Sequence, residues 1–308
     1  IQRLREAKNV GQISLCTQGS GGNQILHLIY ADLLAGDLIH GFQSRGRWRF
    51  ETIDGDGSST QSYREVNRMR TSANVGKSNI CTITSNLLQV FYRNSTQGLL
   101  LGATKTSNGW TYEVVDGDRD SDGRTSGDVA YSLDATSIGS KTFVIYDSIS
   151  KRFPSGARSV GEVRLATRNS IFPEDWRFQT LDGPKFGSTI AGFAVSISSD
   201  GEKADLSWLA TDPKSPFLSN QIKIATTSNL STVKSFPQTS YGNPSSQLAS
   251  TNMGTLFNCE GRLCLLTNNQ TTKLISGDLR IGKIAYLIKN SGKFAVVTRN
   301  NILSIIKL

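Results

Sequence analysis

The chain has 308 residues, 37% of them hydrophobic, with 34 lysines and arginines against 25 acids and a net charge of +9. That is enough apolar material for a large core, and one closed all-β domain of this length is ordinary. No run of about 18 apolar residues occurs, which excludes a helical membrane span. The cations are scattered, which weighs against nucleic acid and leaves an acidic glycan or another anionic partner as what the basic balance favours.

Taken in order, the chain opens with a short mixed segment, Ile1 to Lys8, and then reads as strands. The first unit gives ISLCTQ, a glycine-rich turn at Gly19 to Gly22, ILHLIYAD, DLIHGFQS and RWRFETID. The second gives NICTITS, LLQVFYRN, LLLGATKT and WTYEVVD; the third gives VAYSLDATS, KTFVIYDS, EVRLATRN and WRFQTLD. The fourth gives FAVSISS, KADLSWLATD, QIKIATTS and a weaker STVKSF. These are short β-rich runs bounded by turn residues.

The units repeat. Trp48, Trp110 and Trp176 are followed at one fixed interval by Asp54, Asp116 and Asp182. The segment from Gly36 to Gly41 aligns with Gly98 to Ala103, Gly161 to Ala166 and Asn220 to Ala225. The small residue closing each copy suggests close approach to a neighbouring sheet. GTLFNCEGRLCLLTNNQTTKLISGDL and GKIAYLIKNSGKFAVVTRNNILSIIKL supply three strands each. The expected architecture is therefore all-β, a six-bladed β-propeller of one domain, with blades at about 11–54, 78–116, 129–182, 191–236, 253–280 and 282–308. Residues 1–8 are expected to close the ring as the strand missing from the last blade, removing exposed edges.

Four cysteines carry a weak redox signal. Cys259 and Cys264 flank a turn and could face each other across a hairpin. Cys16 and Cys81 hold matching positions in the first two units, which favours two buried thiols over a bridge. His27 and His40 lie in apolar strands and read as core residues. The tryptophans recur with the unit and read as packing between sheets.

In a propeller the loops divide between two faces, and binding surfaces tend to be built from the longer ones. The long connections here are 55–77, 117–128, 150–161, 183–190, 213–220 and 237–253. Their face is basic. Tyr63, Arg64, Arg68, Arg70, Arg124, Arg152, Phe153 and Arg158 are the expected ligand-binding residues, because guanidinium forks match carboxylate, sulfate or phosphate and exposed aromatics stack on sugars. Asp116 to Gly123 reads DGDRDSDG, and Asp118, Asp120 and Asp122 followed by Gly123 match the first half of a calcium loop. The second half departs, with Val129 where the bidentate glutamate would stand and Asp128 one residue early. A hydrolytic carboxylate pair could come from Asp118, Asp128, Asp147, Glu162 or Asp212, with no two singled out. Asp32, Asp147 and Asp212 recur near the end of the second strand and read as turn residues.

The unit Tyr-x-Asp/Asn, Gly-x-Leu-x-x-Ala and Trp-x-x-x-x-x-Asp, seen at Tyr30 to Asp54 and Tyr92 to Asp116, resembles the repeat of bacterial exported β-propellers of the sialidase-like type. It is similar also to the unit of Photorhabdus-type fucose lectins. The resemblance covers about residues 11 to 230 and bears on architecture. The Arg-Ile-Pro motif of sialidases is absent, and Ser199-Asp200-Gly201 is only a fragment of their aspartate box. The lectins repeat their sugar-binding residues in every unit, whereas the loops here differ between units. The resemblance implies an exported protein: periplasmic, cell-surface or secreted. The expected function is a non-enzymatic recognition module binding a glycan or protein through the basic face, with calcium as the one cofactor suggested. The alternatives are a glycoside hydrolase or lyase using loop carboxylates, and an interaction scaffold of a bacterial envelope assembly.

Overall fold

Strand follows strand along the chain, each beginning or ending at a glycine, asparagine or aspartate turn. The computed structural model describes residues 10–19, 24–44, 46–55, 74–152, 159–169, 175–186, 191–211, 220–236, 244–251, 253–267, 271–277, 281–289, 292–299 and 302–308. The first sheet is β1 (Val10–Gln18), β2 (Ile25–Asp32), β3 (Asp37–Ser44) and β4 (Arg47–Asp54). The second is β5 (Val75–Thr84), β6 (Leu87–Asn94), β7 (Leu99–Thr106) and β8 (Gly109–Asp116). The third is β9 (Val129–Ile138), β10 (Lys141–Arg152), β11 (Ser159–Arg168) and β12 (Arg177–Asp182), and the fourth is β13 (Ala191–Ser199), β14 (Ala204–Thr211), β15 (Asn220–Thr226) and β16 (Asn229–Phe236). The fifth is β17 (Pro244–Thr251), β18 (Gly254–Cys259), β19 (Arg262–Thr267) and β20 (Thr272–Ser276). The last has three strands, β21 (Ile281–Lys289), β22 (Gly292–Arg299) and β23 (Ile302–Lys307). Residues 1–8, assigned from sequence to its missing strand, lie outside the described residues.

The fifth sheet corrects the sequence reading. The stretch expected to be a long connection, 237–253, contains β17, so this sheet has four strands rather than three. Its sequence, PSSQLAST, lacks the β-branched runs of the other strands, and Leu248 and Ala249 bury apolar side chains there. Tertiary pairing, with Leu248 opposite Phe257 and Ala249 opposite Leu256, makes it a strand.

The chain divides into two compact units, residues 1–149 with 165–179, and residues 150–164 with 180–308. In the first, Ile29, Leu38, Ile53, Val90, Tyr92 and Leu101 form one apolar cluster and Phe91, Leu100, Val115, Val144, Tyr146 and Trp176 another. In the second, Leu209, Ile222, Phe257 and Leu266 form a cluster, as do Leu256, Leu263, Leu265 and Ala295.

The repeated residues have three structural duties. Asp32 accepts from the backbone N–H of Leu34 (3.1 Å) and Ala35 (3.2 Å), and Asn94 accepts in the same way from Thr96 (2.9 Å) and Gln97 (3.1 Å). Gly36 and Gly98 then take the left-handed φ of 80° and 74° that completes each turn.

The closing aspartates tie sheet to sheet. Tyr92 donates its hydroxyl to Asp54 (2.7 Å), Tyr146 to Asp116 (2.6 Å), and Trp208 its indole N–H to Asp182 (2.8 Å). Each aspartate also accepts the N–H of the glycine after it. All three carboxylates are buried, so the tie satisfies charge that water cannot reach. Tyr92→Phe deprives buried Asp54 of one donor and is expected to cost about 1–3 kcal/mol, read from urea unfolding.

The third duty is a clasp. Glu51 of β4 receives Trp110 Nε1 (3.1 Å) and Lys105 Nζ (2.9 Å) from the next sheet, and Glu113 of β8 receives Trp176 Nε1 (2.8 Å) and Arg168 Nη1 (2.7 Å). Trp110 and Trp176 thus pack between sheets as expected, and each also carries a hydrogen bond. The expected reason for the small residues is corrected: a Cβ on Gly41 would lie 2.7 Å from the ring of Phe50, on the paired strand of its own sheet. Cys16 and Cys81 are corrected too. They form a disulfide with Cα atoms 6.0 Å apart, because matching positions on β1 and β5 face each other. Cys259 and Cys264 are bridged across their hairpin.

Candidate functional site

The residue after the second-strand aromatic of each unit is Ala31, Arg93, Asp147 and Leu209 in the first four sheets. Two adjacent units therefore place a charge where the others place an apolar side chain. Arg93 and Asp147 are both buried, at 4% and 8% exposed, and both belong to the compact unit formed by residues 1–149 and 165–179.

Around them the backbone is irregular. Asp128 and Ala130 adopt φ of 56° and 62°, left-handed values that cost a non-glycine residue about 1–3 kcal/mol. Between Tyr146 and Ser148 the pairing of β10 with β9 shifts register, so Asp147 sits at a bulge. Bulges and left-handed residues cluster next to sites that must aim side chains, and here they turn Asp128, Tyr131 and Asp147 toward Arg93.

The contacts are specific. Arg93 Nη2 lies 3.0 Å from Asp128 Oδ1, Nη1 donates to the Val129 carbonyl, and the guanidinium covers the Tyr131 ring at 3.7 Å. Tyr131 donates its hydroxyl to Asp128 Oδ1 at 3.0 Å, and Ser78 donates to the Tyr131 carbonyl at 2.6 Å. Asp147 Oδ1 accepts the Ser132 N–H at 2.7 Å. Tyr131 is 46% exposed and the Asp128 side chain 31%, so the group opens to solvent on one side.

Burial pushes the Asp147 carboxyl up to about 7, with the Ser132 amide and the Arg93 charge pulling the other way. A carboxyl that keeps its proton near neutrality and shares an arginine with a second carboxylate is a pairing that acid–base chemistry uses. The same shift affects stability. The folded state holds a proton that the unfolded chain releases near 3.8, so stability falls as pH rises from about 4 to 7. The loss is on the order of 4 kcal/mol. Asp147→Asn is expected to flatten this slope in denaturation measured across pH; an unchanged slope would assign it to another group.

Of the residues expected at the ligand, Arg124 alone has a described side chain. It is used internally, donating to the Val114 carbonyl (2.9 Å) and Asp118 (3.2 Å) and lying over Phe178 (5.4 Å). Tyr63, Arg64, Arg68, Arg70, Phe153 and Arg158 lie outside the described residues, and Arg152 ends β10.

The acidic loop binds itself. Asp118 faces Arg119 and Arg124, Asp120 accepts the N–H and hydroxyl of Ser126 (both 2.8 Å), and Asp122 meets Arg119 at 3.3 Å. The carboxylates of Asp118, Asp120 and Asp122 do not converge as the calcium reading expects, and among the described residues no three acids, histidines or cysteines are placed to hold a metal. Arginine supplies the positive charge that calcium would.

The histidines are consumed in the first sheet. Gln18, His27, His40 and Glu51 form a chain with contacts of 3.0, 2.9 and 2.8 Å, and burial lowers both imidazoles, His27 to about 4. Asp32 is a turn residue as expected, whereas Asp147 is not. The departure of the third copy, which places an aspartate directly after Tyr146, was the signal for it in the sequence.

No family model matches the chain, and no curated protein matches its sequence. Among solved structures it is similar to an α-L-arabinanase of Penicillium chrysogenum complexed with arabinobiose, at 12% identity and a TM-score of 0.59, covering 97% of this chain and 93% of that one. A polysaccharide lyase, Uly1, matches at 9% identity and TM-score 0.53 over 96% of this chain and 77% of the other. A sialidase of Trypanosoma rangeli in complex with the inhibitor DANA matches at 12% identity and TM-score 0.51 over 99% and 55%. At these identities the likeness is one of fold, and it makes the protein all-β with a propeller-type architecture.

Proposed function

We propose that the chain is a carbohydrate-active propeller that binds a glycan against Tyr131 and Arg93 and cleaves it with Asp147 and Asp128. The observation that carries this reading is the Asp147 carboxyl, raised to about 7 within one guanidinium of a second carboxylate. In this reading Asp147 gives its proton to the glycosidic oxygen as the bond from that oxygen to the sugar carbon breaks. Asp128 takes a proton from the water that forms the new bond to that carbon. Tyr131 offers an exposed ring face already flanked by a cation. The arabinanase, lyase and sialidase likeness is consistent with a sugar substrate. Two disulfides fit an exported protein, since such bridges persist in oxidising compartments. We keep the six-bladed ring closed by residues 1–8 as part of this reading, and deletion of 1–8 should then lower the melting temperature.

The test is a panel of neutral and acidic polysaccharides with product analysis. Cleavage is expected, with an activity limb that falls as pH rises through about 7. Asp147→Asn and Asp128→Asn should each lose about 100-fold or more of the rate while retaining binding. The non-enzymatic recognition module is the second reading, favoured by the exposed Tyr131 ring. Binding at this site without products from any substrate would establish it in place of the hydrolase.

A further inference from the structure

The clasp is missing between the fourth and fifth sheets, as it is between the fifth and the last. In β15 and β16 Ile224 pairs with Lys234 as His40 pairs with Glu51 and Gly102 with Glu113. Lys234 therefore stands at the clasp glutamate's position, and Asp205 stands at that of His27. The fifth sheet answers with neither half of the clasp: β20 carries no tryptophan and β19 ends in Leu266 and Thr267 rather than a cation. A cleft of about 340 Å³ opens between the fourth and fifth sheets, lined by β14, β15 and β16 on one side and by Thr251, Gly254 and Thr255 on the other.

Its lining mixes apolar groups, among them Leu206 and Ile224, with polar ones and carries opposite charges. Lys203 and Lys234 stand at it, and neither has an ion-pair partner among the described residues. Thr226, Asn229 and Thr255 supply hydroxyl and amide groups, and Asp205 is half-buried there. Burial holds the Asp205 carboxyl above its ordinary value, with the Lys203 charge pulling the other way.

We infer that this cleft is a second saccharide site, and that its ligand is a uronic acid residue of an acidic oligosaccharide. The two ammonium groups suit one carboxylate. The hydroxyls, the amide and Asp205 suit the ring hydroxyls, which both donate and accept. A sulfate group would meet the Asp205 carboxyl without offering it a donor. The volume lies in the range of small-ligand clefts. The inference rests on the proposed function only in taking carbohydrate as the ligand class.

The test is calorimetry of the full chain with a galacturonate trimer and with its neutral galactose counterpart, at low and raised salt. The acidic trimer is expected to bind and the neutral one to bind more weakly. The Lys203→Ala/Lys234→Ala variant, with exposed positions and a melting curve to verify folding, should weaken the acidic trimer by about 10-fold. The same variant should leave cleavage at Asp147 intact. Equal binding of both trimers, no binding of either, or affinity indifferent to the two lysines would each overturn the cleft. If affinity ignores the lysines but falls in Arg93→Met, the trimer sits at the Asp147 site, so the cleft fails while the proposed function stands.

Discussion

Replacing Cys16 and Cys81 by alanine should lower the unfolding free energy by about 4 kcal/mol, because the bridge closes a loop of 65 residues in the unfolded chain. The same replacement at Cys259 and Cys264, five residues apart, should cost about 2 kcal/mol. The longer bridge joins β1 to β5, which otherwise meet through side chains such as Ser14 on Asn79 (2.9 Å) and Gln12 on the Asn79 carbonyl (2.9 Å). Guanidinium unfolding of the two double variants gives the comparison. Equal losses would show that loop length is not what these bridges act through. A Cys16/Cys81 variant as stable as the parent, with two thiols titrating in the parent, would show that the bridge does not form.

Arg168→Met is expected to cost about 3–5 kcal/mol at neutral pH, since it leaves an unpaired carboxylate in a dry site. The Arg168 side chain is fully buried and Nη1 contacts both oxygens of Glu113, at 2.7 and 2.9 Å. Its guanidinium also covers the Trp176 ring at 4.4 Å. Burial already holds the Glu113 carboxyl above its ordinary value with Arg168 pulling it down, so losing the cation raises it further. The folded variant then carries a proton that the unfolded chain lacks, and its deficit should shrink on acidification. Adding Glu113→Gln removes the orphaned charge and should recover much of the loss. A double variant no better than Arg168→Met would mean that packing against Trp176, rather than charge, dominates. The equivalent pair, Lys105 with Glu51, is 33% and 30% exposed, and Lys105→Met should cost no more than about 1 kcal/mol. One sequence pattern thus carries two energies, and burial decides between them.

The clasp forms where one repeat offers a glutamate on its fourth strand and the next offers tryptophan with lysine or arginine, as at Glu51 and Glu113.

The sequence by itself determined the strands, because period-2 runs between turn residues leave little else for them to form. It also determined the repeat, because Trp48, Trp110 and Trp176 and their aspartates recur at set intervals. It could say that Trp110 and Trp176 packed between sheets, whereas Trp48 packs on Phe50 and the apolar cluster of its own sheet. It could not say that Asp54 takes a proton donor from Tyr92, or that Glu51 and Glu113 are the acceptors, since those partners lie in the next unit. β17 was hidden because its strand character comes from its neighbour and not from its serines. Equivalence in a repeat reads as two separate sites in the sequence, whereas facing sheets bring equivalent positions together, as the Cys16–Cys81 bridge shows. Asp128 and Asp147 were two acids among five until a bulge and two left-handed residues turned them toward Arg93. The protonation of Asp147 is decided by burial, a property of the folded chain that no local pattern records.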